Sequence, residues 1–304
     1  MLSVGTPTYD QLNLFLAVVD EGSFAAAARR LGRAVSVVSY GIANLEAQLG
    51  LVLFEREGTR RPVLTEDGKA VLAEARAIAR GMDGLRARVK GLHEGLEAEI
   101  GLVVDVMLPP DRLGAALRAF NAQFPTVALR LHVEALGAVI AKVLGREAVI
   151  GVSGPLNDLT AGLDWIAAGE CGLVPVAAPD HPLAMAPVAP GAARDHIQLV
   201  LSDRSPLTEG HDFSVLSSRT WRLADLGAKH ALLRQGIGWG NMPHWMVEAD
   251  LLGGTLVRLS LPDWPAPSYN FCGIWRSDTP PGPAAKWLLA QLTQPVGGAA
   301  VSVA

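Results

Sequence analysis

The sequence predicts an α/β protein that opens with an all-α winged helix-turn-helix unit and continues into two α/β lobes. Three observations carry that prediction. Two short apolar runs at helical spacing, each closed by a glycine, fill residues 24–50. A long amphipathic run follows from Thr65 to about His93. From Glu99 onward, strand-like and helix-like segments alternate.

The first short helix is expected from Phe24 to Leu31, with Phe24, Ala27, Ala28 and Leu31 on one face and Gly32 as its stop. The second is expected from Val35 to Leu49. Val35, Val38, Ile42, Leu45 and Leu49 follow at steps of 3, 4, 3 and 4, and Gly50 stands just past the end. Arg56 to Arg61, around Glu57-Gly58-Thr59, suit the tip of a hairpin, which would form a wing. Two short helices joined by a tight turn read DNA in many proteins; they also occur as an ordinary helical hairpin with solvated arginines. The outward face of the second helix carries Ser36, Val37, Tyr40, Ala43, Asn44 and Ala47, all uncharged. Arg33 lies before it, and Arg56, Arg60 and Arg61 after it. That is the layout of a DNA surface: cations at phosphate radius, with small and polar groups between them at the base edges.

Thr65 is placed to cap the long helix, with Glu66 and Asp67 in its first turn. Leu72, Ala75, Ala79, Met82, Leu85, Val89 and Leu92 make a stripe along it. The stripe suits pairing with a second copy; the alternative is packing within its own domain. Beyond it, IGLVVDV, VALRLHV and AVIGVSG read as strands, separated by the helical DRLGAALRAFNAQF and LGAVIAKVLG. This order implies a parallel sheet. GLVPVAAP, IQLVLS, WRLADLG, VRLSL and YNFCGIW read as further strands. AKHALLRQG, MPHWMVEADL and PAAKWLLAQL read as helices. Chain crossovers near Asp164 and Trp264 would make two lobes with a cleft between them.

The expected domains are a winged helix-turn-helix at 1–65, a linker and dimerisation helix at 66–93, and a two-lobed unit at 94–294. Lobe one takes about 94–164 and 265–294, lobe two about 165–264, and 295–304 form a small polar tail. Ligands of open α/β sheets sit beyond strand C-termini. That rule nominates Asp105, Met107, Ser153, Ser202 and Asp203, and then Trp239 and Asn241 after the helix that starts near Ala228. Trp165, Trp245, Trp264, Trp275 and Trp287 read as core or lobe-contact residues.

Residues 1–92 hold 12 Lys+Arg against 10 Asp+Glu, and the remainder 14 against 20, so the formal net charge of −4 splits into +2 and −6. Only the N-terminal part is basic, which favours modest, salt-sensitive DNA affinity. The opening MLSVGTPTYDQ has no basic or long apolar run, and no membrane span is expected. Two cysteines, Cys171 and Cys272, suit a reducing cytoplasm. No CxxC, metal spacing, P-loop or Gly-x-Ser-x-Gly elbow is present, so no metal, cofactor or enzymatic activity is expected. Two other readings are a thiol-based redox-sensing regulator using Cys171 and Cys272, and a small-molecule-binding protein without a transcriptional role.

The wording of residues 9–68 is more specific than their periodicity. YDQLNLFLAVVDEGSF, AAAARRL, VVSYGIANLEAQLG, LFER and VLTEDG follow in order, and this segment resembles the DNA-binding domain of LysR-type transcriptional regulators. Ser39, Leu45, Glu46, Leu49, Gly50, Leu53, Phe54, Arg56, Leu64, Thr65 and Gly68 fall where that family's pattern has them. The resemblance adds Ser39 to the DNA-facing set. Val35, Ser36, Tyr40 and Gly41 depart from it, replacing the long polar side chains the family often has. Apolar contacts to thymine methyls and readout of DNA shape gain weight here.

The second half resembles the family's effector domain, which has the fold of periplasmic binding proteins. The Phe124-Pro125 turn, DHPLA at Asp180 to Ala184 and GIGWGNMP ending at Pro243 carry that resemblance. It implies double-stranded promoter DNA, a small-molecule effector and a second copy as partners, in a homodimer that assembles to a tetramer. Relatives that bind carboxylates often have Ser or Thr at the positions of Asp105 and Met107. The acidic Asp105 therefore predicts a neutral or cationic effector, with an apolar part against Trp239. The alternative makes Asp105 a capping or lobe-locking residue.

Overall fold

A computed structural model describes residues 5–55, 61–93, 95–156, 159–185, 187–202, 205–208, 213–264 and 268–294. Arg56, Arg60, Asp203 and the tail expected from residue 295 lie outside these. The chain divides into two compact units, residues 1–90 and 91–304.

In the first unit, α1 (Tyr9–Glu21) starts in a reciprocal cap, in which Thr8 accepts from the Gln11 N–H and the Gln11 side chain accepts from the Thr8 N–H. Ser23 caps α2 (Phe24–Leu31), and α3 (Val35–Leu49) ends at Gly50 in the left-handed region. The core gathers Phe15, Val18, Ala27, Val38, Leu45 and Leu53, all fully buried. Phe54 closes it edge-on to Phe15 and Phe24, at centroid distances of 5.5 and 5.8 Å. Gly41 is required for close packing: a Cβ there would meet Leu14 Cδ1 at 2.3 Å, so α1 and α3 touch where the family's pattern has a longer side chain. The base of the wing is an antiparallel bridge between Phe54 and Leu64, with the Glu55 N–H on the Val63 carbonyl at 2.8 Å.

The long helix α4 runs Glu66–His93. Thr65 Oγ1 accepts from the Gly68 N–H at 2.9 Å, as a capping threonine should. The stripe expected along this helix divides. Leu72, Ala75 and Ala79 pack on the core of the first unit, whereas Leu85, Val89 and Leu92 stand 56, 43 and 52% exposed.

In the second unit, β1 (Glu99–Asp105) lies between β2 (Ala128–Glu134) and β3 (Ile150–Ser153), both parallel to it. The helices α5 (Pro110–Gln123) and α6 (Gly137–Leu144) make the connections. This is the expected β-α-β-α-β start. Two strands then depart from the all-parallel expectation. β4 (Leu163–Ala177) and β9 (Ser268–Arg276) pair antiparallel with each other, and β9 is antiparallel to β3. A 15-residue β4 leaves β9 at Gly172 and pairs with β7 (Trp239–Pro243) from Leu173 onward. The first crossover thus lies about Leu173, not near Asp164. Lobe two adds β5 (Gln198–Leu201) and β6 (Thr220–Leu223), parallel to each other, and β8 (Val257–Arg258) beside β4. Its helices are α7 (Leu226–Arg234) and α8 (His244–Gly253), and α9 (Pro283–Thr293) returns to lobe one. The described strands run β2-β1-β3-β9-β4-β7-β5-β6.

β7 takes in Met242 and Pro243, which the sequence assigns to the start of a helix, although Gly, Asn and Pro are poor strand residues. It forms a strand because it is buried along its whole length, and Gly240 lets it approach β5. A Cβ there would lie 2.8 Å from the Leu199 carbonyl oxygen.

Candidate DNA face and effector cleft

On α3, the residues expected to face DNA stand together. Ser36, Val37, Ser39 and Tyr40 are exposed, Tyr40 by 70%, while Asn44 is partly covered. Beneath them Val38, Ile42 and Leu45 anchor the helix. The cations are arranged differently from the expectation. Arg33 is held by Asp10 at the start of α1, through two bonds of 2.7 Å each. The bidentate bond holds the Asp10 carboxyl below its ordinary range and raises Arg33. Arg33 is therefore a staple between α1 and the turn before α3, and its charge is already shared; the sequence could not show this, since the partners stand 23 residues apart. Arg61 is exposed beside the wing. Glu46, noticed in the sequence only as part of a pattern, has a definite job. Its Oε1 accepts the Leu53 N–H at 2.7 Å and the Phe54 N–H at 3.4 Å, locking α3 to the wing.

In the second unit, two adjoining cavities lie where the lobes meet. One, of about 180 Å³, is lined by Ile140, Pro155, Thr208 and Ser268 among others. The other, of about 70 Å³, is lined by Met107, Gln198, Lys229 and Asn241 among others. Leu136, Leu173, Phe213, Ser214 and Tyr269 line both. The lobes also touch through Trp245, whose Nε1 donates to the Met107 carbonyl at 3.0 Å. The site thus brings together Met107 and Asn241 of the expected set. Ser202 follows Leu201 at its margin, its N–H bonded to the Leu223 carbonyl.

Four expectations are corrected. Trp239 is fully buried at the start of β7, among Ala177, Leu183, Ala193 and Leu259, so it belongs to the core of lobe two and offers no ligand wall. Trp165, expected as a core or lobe-contact residue, is half exposed on β4. Ser153 is buried at the end of β3, opposite Cys272, away from both cavities.

Asp105 is the fourth. It is 1% exposed and lines neither cavity. Its carboxylate accepts from the Met107 N–H at 2.8 Å, the Leu136 N–H at 3.3 Å and the Tyr269 hydroxyl at 2.8 Å, with the Gly154 N–H as a further donor. Burial pushes its pKa up to about 6 against the pull of these donors. Leu136 has φ of 51°, a strained value for its type, and Asp105 holds it there. Asp105 is thus the knot of lobe one, joining the ends of β1, β2 and β3 to β9. The like-charge argument against an anionic effector loses its basis, since Tyr269 stands between Asp105 and the cleft. A Cβ on Gly154 would lie 2.0 Å from Tyr269 Oη. Gly154→Ala is expected to cost at least about 2 kcal/mol of stability by displacing that ring, read as a lower denaturant midpoint.

The cysteines are poorly placed for redox pairing. Burial pushes Cys171 up to about 12. Cys171 faces Tyr269 and Cys272 faces Ala167 across the β4–β9 ladder, roughly 11 Å apart at strand spacing. Among the described residues, no group of His, Cys, Asp and Glu could hold a metal, and no helix is long and apolar enough to cross a membrane.

Two family descriptions match the chain. Residues 9–69 match "Bacterial regulatory helix-turn-helix protein, lysR family", and residues 93–296 match "LysR substrate binding domain". The chain belongs to the LysR family. It is a LysR-type transcriptional regulator with a DNA-binding helix-turn-helix domain and an α/β effector-binding domain. Curated relatives include the HTH-type transcriptional regulator AceR of Acinetobacter baumannii, 26% identical over 92% of this chain and 94% of the relative. Another is the transcriptional activator AllS of Salmonella typhimurium, 27% identical over 85% of each. Among solved structures, the effector-binding domain of QuiR in complex with shikimate covers 65% of this chain and 96% of its own, at 16% identity and a TM-score of 0.54. A full-length OxyR variant from Pseudomonas aeruginosa covers 94% of this chain and 99% of its own, at 16% identity and a TM-score of 0.51. These two likenesses establish the fold of the LysR effector and DNA-binding domains for this chain.

Proposed function

We propose that this regulator works in the cytoplasm as a homodimer. In this reading the Tyr40 side of α3 enters the major groove of promoter DNA, and a small molecule between the lobes biases the DNA-bound state. The carrying observation is the uncharged, exposed face of Ser36, Val37 and Tyr40 on a helix whose other side is core. Such a face costs little to desolvate against base edges. Arg61 supplies phosphate contact beside it. The effector acts by population shift, which requires unequal affinity for the two states.

Two measurements test the DNA reading. Arg61→Ala is expected to weaken specific and random DNA alike and to reduce the salt slope by about one. Tyr40→Ala is expected to change preference among sites by about 1–3 kcal/mol. Equal losses on specific and random DNA for Tyr40→Ala would remove it from the base-reading set.

The effector reading has its own test. Leu173 lines both cavities, and Leu173→Trp should fill them. A small-molecule cell extract is expected to change the DNA footprint of the wild type but not of Leu173→Trp. A footprint that responds equally in both proteins would place the effector elsewhere, for instance in the groove of about 530 Å³ along Trp165, Ala167, Asn270 and Cys272.

A further inference from the structure

The smaller cavity contains a charge with no counter-charge. Lys229 of α7 is 3% exposed, and its Nζ donates to the Asn241 backbone carbonyl at 2.7 Å. Among the described residues no carboxylate pairs with it. Gly240 leaves room for its stem, since a Cβ there would lie 3.0 Å from Lys229 Cε. The carbonyl it meets has a reason to need a donor: it lies on the β5 side of β7, like the Trp239 N–H that donates to the Ile197 carbonyl, and past the Gln198–Trp239 pair that joins the two strands. A neutral donor could meet that need, so the ammonium charge requires a separate explanation.

A second polar group beside it is also incomplete. Asn241 is 8% exposed, and its Oδ1 is buried without a hydrogen-bond partner among the described residues. Its Nδ2 reaches the Ser214 carbonyl only at 3.5 Å, where the Gln198 Nε2 already donates at 2.9 Å. The surrounding walls are apolar: Leu136, Leu173, Leu199 and Phe213. Buried polar groups left in this condition cost free energy, and a ligand that completes them recovers it.

We infer that Lys229 and Asn241 form the receptor for the polar end of a small hydroxy acid, the carboxylate pairing with Lys229 Nζ and the hydroxyl donating to Asn241 Oδ1. This rests on the effector-cleft reading above and names the chemical class for that site. The apolar walls and the adjoining cavity of about 180 Å³ take the body of the molecule, of the size of an aryl or branched alkyl group. Burial pushes Lys229 down to about 7, as expected of an ammonium without a partner. An acid seated beside it restores the charged form and gains a charge-assisted bond. Asp105 does not oppose this, because its carboxylate is turned into lobe one and covered by Tyr269.

Calorimetric titration of the whole protein with mandelate, benzoate, mandelamide and benzylamine tests the inference. Mandelate should bind tightest. Benzoate, lacking the hydroxyl, should bind more weakly, and the amide and the amine at least tenfold more weakly than mandelate. Lys229→Met should weaken both acids at least tenfold and leave mandelamide unchanged. It removes an unpaired buried charge, which offsets the loss of the donor to the Asn241 carbonyl, so it should still fold. Lys229→Gln serves as the second variant and should show the same loss. Asn241→Leu should erase the advantage of mandelate over benzoate. Tighter binding of the amide or amine, or equal binding of the acids by Lys229→Met, overturns the receptor. Silence from all four compounds also overturns it. In any of these cases, a footprint that responds in the wild type and not in Leu173→Trp leaves the effector reading standing.

Discussion

Asp105→Ala is expected to lower the stability of the effector domain by about 3 kcal/mol. The substitution leaves the Met107 and Leu136 N–H groups and the Tyr269 hydroxyl without their acceptor in a buried site. Each orphaned group costs about 1–3 kcal/mol. The loss is offset in part, because a carboxylate displaced to about 6 is held there at a cost of about 3 kcal/mol at neutral pH. Urea unfolding of both proteins checks the figure. An unchanged midpoint would mean that water replaces the carboxylate at no cost.

The same carboxylate gives a pH signature. Its folded pKa lies above the unfolded value, so the fold holds that proton more tightly than the unfolded chain does. The resulting stability is full below about pH 4 and is lost as pH rises through about 6. Asp105→Asn has no such proton, and the other carboxylates cancel in the comparison. The stability of the wild type minus that of Asp105→Asn should therefore fall by about 2 kcal/mol between pH 4 and pH 7. A difference that grows with pH would show that the donors around Asp105 outweigh its burial.

The double substitution Leu85→Glu with Val89→Glu is expected to dissociate the dimer. Both positions are exposed in the single chain, so glutamate there should leave the fold of one subunit and the helicity of α4 unchanged. Across a helix seam the same charges are buried without partners, at about 3–5 kcal/mol. Sedimentation should show monomer where the wild type shows dimer, together with loss of binding to palindromic sites. A dimer that persists would mean that the effector domains hold the subunits together without this seam. Leu72 and Ala75 on the same helix are unsuitable for the test, since they pack within their own domain.

What the sequence revealed follows the range of the interactions. The helix-turn-helix was readable because its signals are local: apolar spacing, caps at Ser23 and Thr65, and the glycines at 32 and 50. The fate of Arg33 was not readable, because Asp10 approaches it only through the fold of α1 against α3. Trp239 was misplaced because β7 gains its strand form from burial on all sides, against the preferences of Gly240, Asn241 and Pro243. Lys229 was passed over because a lysine in a helix ordinarily faces water. A signal was present nonetheless. Leu226, Lys229 and Leu233 fall at steps of 3 and 4 and are the buried residues of α7, so the charge stood within the apolar stripe.

The continuity of β4 has a mechanical consequence. One unbroken ribbon joins the two sheets, so neither lobe can swing freely; a turn of one must twist the backbone of the other. The ribbon is softest where an extra residue interrupts its ladder between Ala167 and Glu170, at Gly169 with φ of 80°. Arg112 grips the Ala168 carbonyl at 2.6 Å and also bonds the Leu292 carbonyl of α9, clamping that soft point to the frame of lobe one. The clamp makes a fulcrum, and the free arm of the lever starts at Gly172. A turn of lobe two about this fulcrum would pass into lobe one as a small torsion along β4.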